Sequence, residues 1–111
     1  MSIGAANKYQ THTTNATLTG TLTLTATSAN HLSLDANGSA RDVVLPDMGA
    51  YGSGTVHIDN TGGEVLTIKD GANSSATIGT PAANESATCY WASDGGSTVV
   101  ANWICVVGAA N

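Results

Sequence analysis

Phenylalanine is absent from this chain of 111 residues, only five aromatic side chains occur, and Leu, Ile and Val together fill 20 positions. Such a thin supply excludes a thick core of large side chains, and with high charge it would point to disorder. Charge is scarce too: a tenth of the residues are charged and the net is −5. What remains is one folded domain with a lean core, which gains from burying strand faces against neighbours. Basic residues are fewest of all. Lys8, Arg41 and Lys69 are spread along the whole chain and cannot track a phosphate backbone, so no nucleic-acid partner is expected. Long apolar runs are missing as well. The longest, Val99 to Val107, contains Asn102 and is too short to cross a bilayer, so no membrane partner is expected. The opening Met1-Ser2-Ile3-Gly4-Ala5-Ala6-Asn7 has neither a basic segment nor an apolar one, and synthesis in a cytoplasm without a leader is the expectation.

What is present is alternation. Ala16, Leu18, Leu22, Leu24 and Ala26 share one face, while Thr17, Thr19, Thr21, Thr23, Thr25 and Thr27 share the other. That is strand periodicity, with β-branched Thr suited to a half-exposed pleated surface. Gly20 stands where an apolar residue is due and predicts a bend. The runs from His31 to Leu34 and from Arg41 to Leu45 flank Asn37-Gly38, a pair that tolerates two positive φ angles and so predicts a two-residue hairpin with Leu32 opposite Val43. Pro46 ends that strand. Thr55 to Asp59 and Glu64 to Lys69 read as a second hairpin around Thr61-Gly62-Gly63. A three-residue loop with Gly in the left-handed region sets Ile58 against Leu66 and Val56 against Ile68. A short strand, Ala76 to Ile78, precedes Pro81. Glu85 to Ala92 and Thr98 to Val107 form a last hairpin around Ser93-Asp94-Gly95-Gly96. The expected fold is all-β: a compact sandwich or barrel-like domain of seven to eight short antiparallel strands over residues 16–111. Residues 1–15 form a polar N-terminal arm, either a loose terminus or a segment that orders on a partner surface.

Few residues point to chemistry. Cys89-Tyr90-Trp91 is mirrored by Trp103-Ile104-Cys105. An antiparallel pairing that sets Trp91 against Trp103 also brings Cys89 opposite Cys105, within disulfide reach. That register needs a wide loop, and a tight turn at Gly95-Gly96 breaks it. The alternative is two buried thiols acting as small hydrophobes, which suits cytoplasmic synthesis; a disulfide would form only in an oxidising medium. His12 lies in the arm, His31 opens a strand, and His57 faces away from Val56 and Ile58. No two share a strand at ligand spacing and no Cys joins them, so neither a metal site nor a cofactor is expected. Asp35-Ala36-Asn37-Gly38 opens like a calcium loop, but Pro46 stands where the distal Glu belongs, and turn chemistry explains it better. No Gly-x-Ser-x-Gly elbow and no paired carboxylates occur, so no catalytic residue and no enzymatic activity are expected.

The run from Leu34 to Pro46, the segment Val56-His57-Ile58-Asp59-Asn60-Thr61-Gly62-Gly63 with Leu66-Thr67-Ile68-Lys69-Asp70, and the late Asp94-Gly95 with Trp103 resemble a compact β module of tailed-phage structural proteins. Head decoration (cement) proteins and pieces of tail fibres share it. The resemblance covers roughly residues 30 to 108. The segment between Asp94-Gly95 and Trp103 is longer here than in the module. It implies a non-enzymatic virion protein on the outer capsid surface that bridges capsomers of the major capsid protein as a homotrimer. Lys8, Tyr9, Gln10, Thr11 and His12 of the arm are then the expected capsid contacts. The alternatives are a tail-associated adhesion domain binding host glycans through Tyr9, Tyr51 or the loop near Asp94, and a secreted or pilus-like subunit, which would need an export signal. Fold-level likeness is an association and not a site, so function rests on the residues that follow.

Overall fold

The computed structural model describes residues 13–49, 52–72, 75–92 and 103–109, with side chains described from Ala16 onward. Among them are nine strands: β1 Thr13–Thr17, β2 Leu22–Thr23, β3 His31–Asp35, β4 Arg41–Leu45, β5 Thr55–Asn60, β6 Leu66–Asp70, β7 Ala76–Gly79, β8 Glu85–Trp91 and β9 Trp103–Ala109. They form a five-stranded sheet in the order β1-β3-β5-β8-β9 and a four-stranded sheet in the order β2-β4-β6-β7. The domain is all-β, but its first two thirds are not built of hairpins. Up to β6, odd strands enter the first sheet and even strands the second, so the chain crosses between sheets after each strand from β1 to β5. Each odd–even pair is one coil, and the coils stack in parallel: β1 on β3 on β5, and β2 on β4 on β6. Only the end is antiparallel, with β7 on β6, β8 on β5 and β9 on β8.

This corrects the two hairpins expected at Asn37-Gly38 and Gly62-Gly63. Asn37 and Gly38 do take positive φ, at 63° and 83°, as a primed turn needs. The turn nevertheless hands the chain from one sheet to the other, with Ala36 buried and its carbonyl accepting from Arg41 Nε at 2.9 Å. Leu32 therefore pairs with Ile58 rather than Val43, and Val43 lies between Leu22 and Ile68. At the second corner neither Gly62 nor Gly63 adopts a positive φ, and Ile58 and Leu66 belong to different sheets. Alternation specifies which face of a strand is buried and leaves open which strand lies beside it. Stacked coils bury the same side chains as hairpins do, and here the corners favour the stack. Asp35 Oδ1 accepts from Asn37 N at 2.8 Å, and one coil later Asn60 Oδ1 accepts from Gly62 N at 3.1 Å. Between the two corners, Thr61 donates to Leu34 O through both N, at 2.9 Å, and Oγ1, at 3.1 Å. A Cβ at Gly62 would collide with the Asp35 carboxylate, so the close stacking of corners requires glycine there.

The early Thr-rich segment keeps its alternation as far as Leu24, with Leu18 and Leu24 buried and the threonines exposed, and loses it at Ala26, expected on the apolar face but exposed in a turn. Ladder pairing lapses around Thr19-Gly20, the expected bend, where the chain leaves the first sheet. β1 begins at Thr13, so the last three residues of the expected arm are strand; residues 1–12, including Lys8 to His12, lie outside the described residues. Both sheets feed one core, in which Leu32, Leu34 and Ile58 from the first meet Val43, Leu45 and Ile68 from the second.

The closing segment is tied differently. β8 and β9 pair in the register that sets Trp91 against Trp103 and Cys89 against Cys105, and the two cysteines form a disulfide. Gly95 and Gly96 lie outside the described residues. Trp103 is buried, packs edge-on against Trp91 at 5.5 Å between ring centroids, and donates from Nε1 to Pro46 O at 2.7 Å. Its backbone N donates to Asp70 Oδ2 at 3.0 Å, while Asp70 Oδ1 accepts from Ala72 N at 2.9 Å. A fully buried carboxylate thus joins the end of β6 to the start of β9 across the two sheets.

Candidate functional site

Strand alternation sends Leu32, Leu34, Val56 and Ile58 into the core and turns His31, Ser33, His57 and Asp59 to the outer face of the first sheet. The parallel register of β3 and β5 then does what spacing along one strand cannot. His31 and His57 are ladder partners, so their rings sit side by side, 5.0 Å between centroids and close to perpendicular at 78°. Asp59, two residues after His57 on the same face, reaches both. His57 Nε2 lies 2.9 Å from Asp59 Oδ1, and His31 Nε2 lies 3.2 Å from Asp59 Oδ2. On the far side of His57 stands Thr88, its partner on β8, with Thr88 Oγ1 at 2.9 Å from His57 Nδ1. One ligand atom from each of His31, His57 and Asp59 falls within 4.8 Å of the others. These side chains are 38%, 36% and 28% exposed, open enough to meet a solute and enclosed enough to hold fixed rotamers.

Chemically the cluster offers two imidazole nitrogens and one carboxylate, oriented by a hydroxyl. Nothing in the spacing of one strand or one hairpin points to it, because Asp59 lies 28 residues after His31. A signal does exist: His31-Leu32-Ser33 and His57-Ile58-Asp59 repeat a His-apolar-polar triplet at the start of successive coils. Only the coiled topology makes the repeat a contact. Cys89 and Cys105 are bonded to each other and supply no thiolate.

Two further features occupy this sheet. At one end of β1 and β3 a cleft of about 390 Å³ is lined by Ala16, Thr17, Ser33, Asp35 and Thr61. At the opposite edge the surface turns apolar. Ile104 and Val106 project outward from β9, Val106 being 63% exposed, and Tyr90 on β8 is exposed beside Ile104. Among the described residues β9 is an edge strand of seven residues with one ladder neighbour, β8. Of the aromatic and loop positions expected to touch a glycan, Tyr9, Tyr51 and Asp94 lie outside the described residues, and Tyr90 is the exposed tyrosine among the described ones.

Fold and surface together define a class: a mixed, two-sheet β domain whose exposed face carries an imidazole–carboxylate cluster and whose last described strand turns exposed Ile104 and Val106 outward. No family model, curated protein or solved structure matches the chain.

Proposed function

We propose that this chain is a non-enzymatic structural protein of a virus particle, a decoration protein that binds the outside of a tailed-phage head and stiffens the shell. The observation that carries the reading is the outer surface of β9. A seven-residue edge strand with Ile104 and Val106 turned outward is the kind of feature that monomeric domains protect with charge or Pro. Leaving it open suits a protein whose surface is completed by neighbours. The resemblance of residues 30–108 to phage structural modules and the lean aliphatic supply point the same way. In this reading the two sheets act as the layers of a sandwich-like scaffold. Copies assemble as homotrimers that bridge adjacent subunits of the major capsid protein. Each contact is weak, and many per shell sum through multivalency against internal pressure.

The test is gold labelling of purified particles with an antibody to the chain, read by electron microscopy. Label spread over the head supports decoration, and particles free of label overturn it. Label confined to the tail favours a second reading, a tail-associated adhesion domain for host glycans. Exposed Tyr90 supports that reading, since an exposed aromatic ring is a platform on which sugars stack. A glycan array separates the two: binding to a defined sugar belongs to the second alone.

A further inference from the structure

We propose that His31, His57 and Asp59 form a binding site for one divalent transition-metal ion of the zinc class. The site is independent of where on a particle the protein sits. A tetrahedral ion with arms of roughly 2.0–2.1 Å holds its donor atoms roughly 3.3 Å apart. The pairs here stand at 2.9 and 3.2 Å, and all three donors fit within 4.8 Å, so small side-chain rotations suffice and no backbone movement is needed. The backbone is already fixed, because β3 and β5 are interior strands of the first sheet, with Leu32 next to His31 and Ile58 between His57 and Asp59 anchored in the core.

Donor chemistry selects the metal. Two neutral imidazoles with one carboxylate suit Zn²⁺, Co²⁺, Ni²⁺ or Cu²⁺ and are a poor match for Ca²⁺ or Mg²⁺, which require several oxygens. Three protein ligands leave one tetrahedral position, filled by water at this half-exposed surface.

The contact with Thr88 adds the part that a chance pairing of surface histidines lacks. A carboxylate only accepts, so in the neutral ring the His57 nitrogen facing Asp59, Nε2, carries the proton, and Nδ1 then accepts from the Thr88 hydroxyl. When Nε2 ligates, its proton must move to Nδ1, and the same hydroxyl then accepts from Nδ1–H. A hydroxyl both donates and accepts, so Thr88 serves either tautomer without moving. Such outer partners typically carry a factor of roughly 10 to 100 in metal affinity.

The experiment titrates the full chain with ZnCl2 by calorimetry, without reductant so that Cys89 and Cys105 stay bonded. Co²⁺ absorption in the visible range is the second readout. The expected result is saturation at one ion per chain, and Co²⁺ bands of tetrahedral intensity. His57→Gln should weaken binding by at least 100-fold, His31→Gln by a similar factor, and Thr88→Val by roughly 10-fold. All three positions face outward, and unchanged circular dichroism checks that each variant folds. Thr88→Val leaves every ligand in place, so a fall in affinity there separates a built site from loose surface chelation. Absence of saturable binding by the wild type overturns the proposal, as does binding that His31→Gln and His57→Gln leave intact.

Discussion

The coiled stack from β1 to β6 and the closing segment from β7 to β9 reach the same core by different means. In the stack no covalent link holds the strands. Parallel ladders align Leu32 with Ile58 and Val43 with Ile68, and Asx turns at Asp35 and Asn60 repeat the corner. In the closing segment the ladder is antiparallel and is reinforced by a disulfide, a pair of tryptophans and the buried Asp70. The difference follows from position. Each interior coil is flanked on both sides by its neighbours, whereas among the described residues β7 and β9 end their sheets with a neighbour on one side only. A solenoid-like stack must be closed, and polar or reinforced terminal units are the general solution. Here reinforcement is placed under β9, the strand whose outer side is left apolar.

The largest effect should come from removing the closing residue itself. Trp103→Ala empties a buried site that also supplies the Nε1–H bond to Pro46 O and the edge-on contact with Trp91. A loss of about 3–5 kcal/mol is expected by urea denaturation, the range for large aromatic truncations in cores. A loss below about 1 kcal/mol would show that the stack stands without its closure.

Opening the disulfide should come next. Cys89 and Cys105 are separated by 16 residues, and a loop of that size restricts the unfolded chain by about 3 kcal/mol. Paired Cys89→Ser and Cys105→Ser should lower stability by about that much. Hydrogen exchange should quicken in β8 and β9 first, with β3 to β6 still protected. Equal loss of protection in both regions would mean that the two are one cooperative unit rather than a stack with a lock.

The same contrast shows what could be read from residues alone. The β8–β9 register was legible as one of two alternatives, because the mirrored order of Cys89, Trp91, Trp103 and Cys105 suits one antiparallel alignment while Gly95-Gly96 offers a tight turn that breaks it. The strand segments were legible as well, since Val, Ile, Leu and Thr alternate wherever one face is buried. The pairing of β3 and β5 was not. Asn37-Gly38 has the torsions of a hairpin turn, and those torsions serve equally as a corner between sheets. The choice rests on contacts between coils, such as Thr61 with Leu34 O and Gly62 against Asp35, which no local pattern carries. The His31–His57–Asp59 cluster was hidden for the same reason, being a product of the parallel register.

Gly62 turns that point into a measurement. In stacked coils a methyl group at this position meets the Asp35 carboxylate, whereas in the expected hairpin it would face solvent. Gly62→Ala should therefore cost about 1–2 kcal/mol, within the usual penalty for overpacking. In an Asp35→Ala background the carboxylate is gone while the close approach to the Cα of residue 35 remains, and the added cost should fall by at least about 0.5 kcal/mol, the coupling expected of residues in contact. Strict additivity would argue that the two corners do not touch and would favour hairpins over coils.

The smallest effect on stability, and the most informative about assembly, belongs to β9. Val106 is 63% exposed, so Val106→Ser should change the unfolding free energy by no more than about 0.5 kcal/mol. Its outer side is nevertheless the apolar surface on which assembly is argued to depend. Light scattering of the wild type at rising concentration should report trimers, and Val106→Ser should shift the chain toward monomer with its fold unchanged. Leu34→Ala, in the heart of the stack, should cost about 2–5 kcal/mol yet leave the association of the folded fraction as it was, because its side chain never reaches the surface. If both variants lower stability and association together, folding and assembly are one event in this protein, and the uncovered face of β9 is part of its core rather than a docking surface.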